Sequence, residues 1–143
     1  MQSGDEQIAR AEVEEARELY QELASSQRKT MLLHGDLQHY NVLFDNARGW
    51  VAIDPKGVTG ELEYELGALL RNPVELPRVF ANPVTIKRRL EILTTTLHLD
   101  YARALRWSYS QSVLSAIWDI EDGHPLTPNT PSLLLARSLK QIM

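Results

Sequence analysis

The sequence contains no cysteine, which excludes disulfides and thiolate metal sites and suits a reducing compartment, so a cytoplasmic protein is expected. No apolar run approaches the roughly 18 residues that a membrane span requires. Met1 is followed by polar and acidic residues rather than by an apolar secretion signal. Lysine and arginine form no long stripe, and the net charge is -4. Nucleic acid and anionic membrane are therefore excluded as main partners. Internal repeats and low-complexity tracts are also absent. What remains is a chain of 143 residues, 43% hydrophobic and 24% charged. That is the size and composition of one globular domain, 1–143, which can bury roughly 70% of its unfolded surface.

Residues Asp5 to Ser26 predict an amphipathic helix, with Ile8, Ala16, Leu19, Tyr20 and Leu23 near one stripe and Ser3 as its cap. Met31 to Leu33 predicts a buried strand. Asn41 to Asp45 and Trp50 to Ile53 predict a hairpin across the turn "DNARG". "PKGVTG" is read as a loop, and Tyr64 to Arg71 as a short helix stopped by Asn72-Pro73. Val74 to Ala81 is read as irregular. Asn82 and Pro83 then open a helix to about Leu99, and Asp100 opens a long one from Tyr101 to about Glu121. A last helix covers about Ser132 to Met143. The expected fold class is mostly α with a small β-hairpin: one helix, a β patch, then four helices.

The densest polar chemistry lies between two apolar runs, in "MLLHGDLQHYNVLFD". A loop that only reversed the chain would use Gly, Pro, Asn and Ser. This one carries Asp36, two imidazoles and Asn41, and Asp54 closes the strand beyond the hairpin. Adjacent hairpin strands bring Asn41 and Asp54 near each other, offering oxygen ligands of the kind Mg²⁺ prefers. Asp36 is then free to deprotonate a hydroxyl, the layout of a phosphoryl-transfer site. The plainer reading makes Asp36 a turn cap and Asn41 and Asp54 turn residues. A transition-metal site on His34, His39 and Asp36 lacks a third nearby histidine. Lys56 reads as a solvated loop lysine.

"HGDLQHYN" resembles the catalytic loop H-G-D-x-x-x-x-N of aminoglycoside phosphotransferases, relatives of the protein kinases. "IDPKGVTGELEYELGALLRNP" is similar to the streptomycin/hydroxyurea kinase branch of that family. The match runs from Leu32 to Pro73. It implies Asp36 as catalytic base, Asn41 and Asp54 as Mg²⁺ ligands, and His34 as a loop brace. Glu65 stands where the family usually carries an Asp that holds the loop backbone. Gln38, His39 and Tyr40 replace the commoner His-Pro-Gly.

The resemblance further implies the C-terminal lobe of a protein-kinase-like fold, with the N-terminal nucleotide-binding lobe absent. About 30 residues precede His34, and they carry neither a glycine-rich hairpin nor a phosphate-gripping strand lysine. The implied reaction is ATP-dependent phosphorylation of a hydroxyl on an aminoglycoside-type antibiotic, with weak ATP binding by this chain alone. The rival reading is an inactive remnant acting as a binding or assembly module. Asp119, Glu121 and Asp122, near the end of the long helix, would suit a cationic aminosugar. Trp107, Leu114 and Trp118 share helical spacing and are expected in the core. Loss of a covering lobe predicts self-association or a separate partner lobe.

Overall fold

The computed structural model describes residues 8–143, so Ser3, Asp5 and Glu6 lie outside the described residues. The chain is mostly helical, with two small antiparallel sheets. Helix α1 (Arg10–Ser25) leads into β1 (Met31–Leu33). A single 3-10 turn, His39–Asn41, follows, then β2 (Val42–Asp45), β3 (Gly49–Ala52) and β4 (Val58–Gly60). Helices α2 (Leu62–Leu70), α3 (Pro77–Phe80), α4 (Pro83–Leu97), α5 (Tyr101–Glu121) and α6 (Pro131–Ile142) complete the fold. Among the described residues, no helix is long and apolar enough to cross a membrane.

Two elements depart from the sequence patterning. The glycine-rich stretch after Asp54 forms β4, because β1 needs a backbone partner. Met31 faces Gly60, Leu32 faces Thr59 and Leu33 faces Val58. The stretch expected to be irregular contains α3, opened by Pro77 at its first position and anchored by the buried ring of Phe80. Five helices therefore follow the β patch, where patterning predicts four. The β2–β3 hairpin forms as expected, with Val42 facing Ala52 and Asp45 facing Gly49.

Helix α5 is the central post. Leu105, Tyr109 and Val113 meet Ala16 of α1, Leu66 and Leu70 of α2, Ile86 and Leu90 of α4, and Leu135 and Leu139 of α6 in one buried cluster. Each fully buried leucine or isoleucine contributes about 1.5–3 kcal/mol relative to exposure. The long helices start where their caps dictate. Asn82 accepts from the Thr85 N–H (2.9 Å) and Asp100 from the Arg103 N–H (3.0 Å). Trp107 is buried, with Tyr20 and Tyr64 set edge-on against it at 5.1 Å. Trp118 is instead half exposed. Eleven positions after Trp107, it has rotated off the core face near the helix end.

A buried ion pair ties three helices together. Arg103 Nε donates to Glu61 Oε1 at 2.5 Å, and the same oxygen accepts from Trp107 Nε1. Arg103 Nη2 donates to the Leu23 carbonyl (2.8 Å) at the end of α1. Glu61 is the residue that opens α2, so this contact fixes where α2 begins.

Candidate active site

The loop between β1 and β2 is held from three sides. Beneath it, Glu65 of α2 is buried, and its carboxylate accepts from the backbone N–H of Gly35 (3.0 Å) and of Leu37 (3.3 Å). The extra methylene of Glu over Asp therefore spans to the loop. Gly35 itself is required. Its φ is +85°, and a Cβ there would stand 2.7 Å from Val58 Cγ2.

His34 forms the second brace. Its Nδ1 accepts from the Asp36 N–H (3.2 Å), so the proton sits on Nε2, which donates to the Ile53 carbonyl (2.7 Å). The Ile53 N–H in turn donates to the Asn41 carbonyl (2.9 Å). The Ile53 peptide is thereby clamped between the loop and the start of β2, and Asp54 follows immediately. Asn41 is the third brace. It is buried, and its Nδ2 donates to the Asp36 carbonyl (2.8 Å) and to Asp36 Oδ2 (3.3 Å).

Asp54 adopts a left-handed conformation, φ +55°, which costs a non-glycine residue energy and is concentrated at functional sites. Its carboxylate is two-thirds exposed and pairs with Lys56 Nζ at 3.2 Å. Gln38 caps the 3-10 turn by accepting from the Tyr40 N–H (3.2 Å). Burial and the nearby Arg89 cation lower the His39 pKa.

Asp36 lines a cavity of about 330 Å³ with Arg71, Asn72, Val74, Ser115, Asp119, Pro131 and Ser132. Asn41 and Asp54 are not part of that lining. Of the three acidic residues at the end of α5, Asp119 reaches the cavity, fixed by a hydrogen bond from Ser132 Oγ (3.0 Å). Glu121 and Asp122 are exposed and do not line it. Sequence patterning passed over Arg71 and Ser132. Arg71 had one signal, its place in "LLRNP" within the family-like segment; Ser132 had none. A larger groove of about 430 Å³ between α1 and α5 is almost wholly apolar and lies apart from these residues.

The comparisons with known proteins agree with one another. The chain is 39% identical over 105 residues to a streptomycin 3''-kinase of Klebsiella pneumoniae, covering 71% of this chain and 40% of the relative. It is 38% identical over 93 residues to a streptomycin 6-kinase of Streptomyces glaucescens, covering 64% and 30%. It is 35% identical over 97 residues to a hydroxyurea phosphotransferase of Kitasatospora aureofaciens, covering 68% and 26%. The chain thus spans between about a quarter and two-fifths of the length of these relatives. No solved structure matches. A family model described as aminoglycoside/hydroxyurea antibiotic resistance kinase matches residues 2–123, and the chain belongs to that family.

Proposed function

We propose that this chain is the acceptor-binding, base-bearing lobe of an ATP- and Mg²⁺-dependent small-molecule kinase, the C-terminal lobe of a protein-kinase-like fold. The acceptor is a hydroxyl compound of the aminoglycoside type or a related antibiotic. The observation that carries the reading is Asp36: braced through its own backbone and side chain by His34 and Asn41, on a loop held by Glu65, it opens onto a cavity that could hold an acceptor.

In this reading the acceptor hydroxyl lies against the Asp36 carboxylate, which takes its proton as the oxygen bonds to the γ-phosphorus and the bond to ADP breaks. Asn41 and Asp54 are the metal ligands. The Asn41 Nδ2 is spent on Asp36, which leaves its Oδ1 for a cation, and Asp54 offers an accessible carboxylate. An all-oxygen pair suits Mg²⁺, which takes one or two protein ligands and fills its shell with water and phosphate oxygens. When bound, the metal neutralises charge on the nucleotide phosphates. The phosphate-gripping lobe lies outside these residues, so the chain alone binds ATP weakly.

The test fuses the chain behind the nucleotide-binding lobe of a related kinase and assays transfer to streptomycin and hydroxyurea. Mg²⁺-dependent phosphorylation is expected. Asp36→Asn should reduce it about 10²-fold or more, with no rescue by added Mg²⁺. Asp54→Asn should lose activity that higher Mg²⁺ partly restores. Equal activity of wild type and Asp36→Asn overturns the base. Acceptor binding without any transfer leaves the remnant reading instead.

A further inference from the structure

The cavity beside Asp36 contains two carboxylates, Asp36 and Asp119, and one guanidinium, Arg71. Other arginines set into the fold are tied to a carboxylate or to backbone carbonyls. Arg103 is paired with Glu61 and the Leu23 carbonyl, and Arg89 donates to the carbonyls of Leu69 (2.7 Å) and Asn72 (3.3 Å) at the end of α2. Arg71 differs. Among the described residues it forms no salt bridge, and its hydrogen bond is a long one, Nη1 to Gln111 Oε1 at 3.3 Å. A guanidinium has five N–H donors in a rigid fork, and most of this one's are unspent.

That placement is built rather than accidental. Gln111 is buried in α5, and its Nε2 donates to the Tyr64 carbonyl (2.8 Å). It packs against α2 at Gly67, where a Cβ would stand 2.4 Å from Gln111 Oε1. The missing side chain at Gly67 makes room for the amide that holds one edge of Arg71. Burial lowers the Arg71 pKa, while Tyr64 and Asp36 work in the opposite direction. The group remains a cation in any case, because arginine titrates far above neutrality.

We infer that Arg71 is a specificity-determining residue of this cavity, binding an oxygen group of the acceptor through its fork while Asp119 takes the acceptor's cationic nitrogen. This rests on the reading of the cavity as the acceptor site. The shared chemistry is an oxygen hydrogen-bond acceptor. It has two sources, a neutral carbonyl on the acceptor or the phosphate oxygens of the phosphorylated product. A cavity lined only by carboxylates would admit any polycation and repel its own product. Arg71 makes it selective for acceptors that pair a cation or hydroxyl with such an oxygen.

The test is binding to the 143-residue chain by calorimetry or NMR titration, without nucleotide or metal, using hydroxyurea, inorganic phosphate and glucosamine as probes. Arg71→Gln should weaken the oxygen probes about tenfold or more and leave glucosamine unchanged; Asp119→Asn should weaken glucosamine. Arg71→Lys keeps the charge and loses the fork. Under the carbonyl source it should lose hydroxyurea while retaining phosphate, and under the phosphate source phosphate should be the tighter probe of the wild type. If Arg71→Gln lowers the melting temperature, Arg71→Lys carries the comparison. Unchanged affinities in Arg71→Gln, or no binding of either oxygen probe to the wild type at millimolar concentration, overturns the inference. Because no transfer is assayed, this outcome is independent of the one that decides the kinase reading.

Discussion

At the scale of single residues, the loop depends on one carboxylate. Glu65 accepts from two backbone N–H groups on a partly buried loop, Gly35 and Leu37, which have no other acceptor among the described residues. Glu65→Gln keeps the length and halves the acceptor capacity, whereas Glu65→Asp shortens the reach by a methylene. Hydrogen exchange at the Gly35 and Leu37 amides should accelerate most in Glu65→Asp, with destabilisation of about 1–3 kcal/mol for the orphaned donors, and less in Glu65→Gln, whose remaining amide oxygen can still accept from both. Unaltered protection in Glu65→Asp would mean that the loop holds itself. The Asn41–Asp36 contact was legible because five residues of one loop are short-range information. The place of Arg71 was not, because it is set by packing against Gln111 of α5, forty residues away in the chain.

At the scale of elements, α2 is the part on which the site rests, and α5 fixes it. Arg103→Ala would leave Glu61 buried without its cation and should cost about 3–5 kcal/mol in urea denaturation. Changing Arg103→Met and Glu61→Leu together should recover only part of that loss, since the uncompensated charge is removed but the Trp107 indole N–H and the Leu23 carbonyl lose their partners. A second consequence concerns pH. Burial, with Tyr20 beside it, pushes the Tyr64 pKa up to about 12. The folded state therefore keeps this proton when the unfolded chain, near pH 10, has begun to release it. Tyr64's contribution to stability is complete below about pH 10 and is lost as pH rises through about 12. Tyr109, raised by burial and by Glu15, acts in the same direction. Urea midpoints between about pH 9 and pH 12 should fall, and Tyr64→Phe should flatten the decline. The helix starts at Pro83 and Tyr101 were legible because Asn82 and Asp100 are local caps. Strand β4 was not, because two glycines and a proline outweigh a valine and a threonine until β1 supplies a partner.

At the scale of the whole molecule, apolar side chains crowd the β patch. Leu32 is 78% exposed and Trp50 73%, and Leu43, Phe44 and Ile53 of the neighbouring hairpin are exposed as well. Phe44 and Trp50 pack edge-on against each other with little else to bury them. Apolar surface on this scale ordinarily finds a partner. The chain alone should self-associate at high micromolar concentration in sedimentation, and Trp50→Lys should shift it towards monomer. A wild type that stays monomeric would show that the patch is tolerated in water.

The pairing of β1 with β4 has a further consequence, for what happens when the backbone is cut. Arg48 stands at the exposed tip of the β2–β3 turn, a preferred place for a protease to nick. Trypsin cleaving there would put Asp36 and Asn41 on one fragment and Asp54 on the other. The pieces would still be joined by the β1–β4 ladder, by α1 packed on α5 and by Arg103 reaching the Leu23 carbonyl. The two fragments should co-elute as one particle and part only in denaturant, so that the severed halves of the site stay assembled without a peptide bond between them.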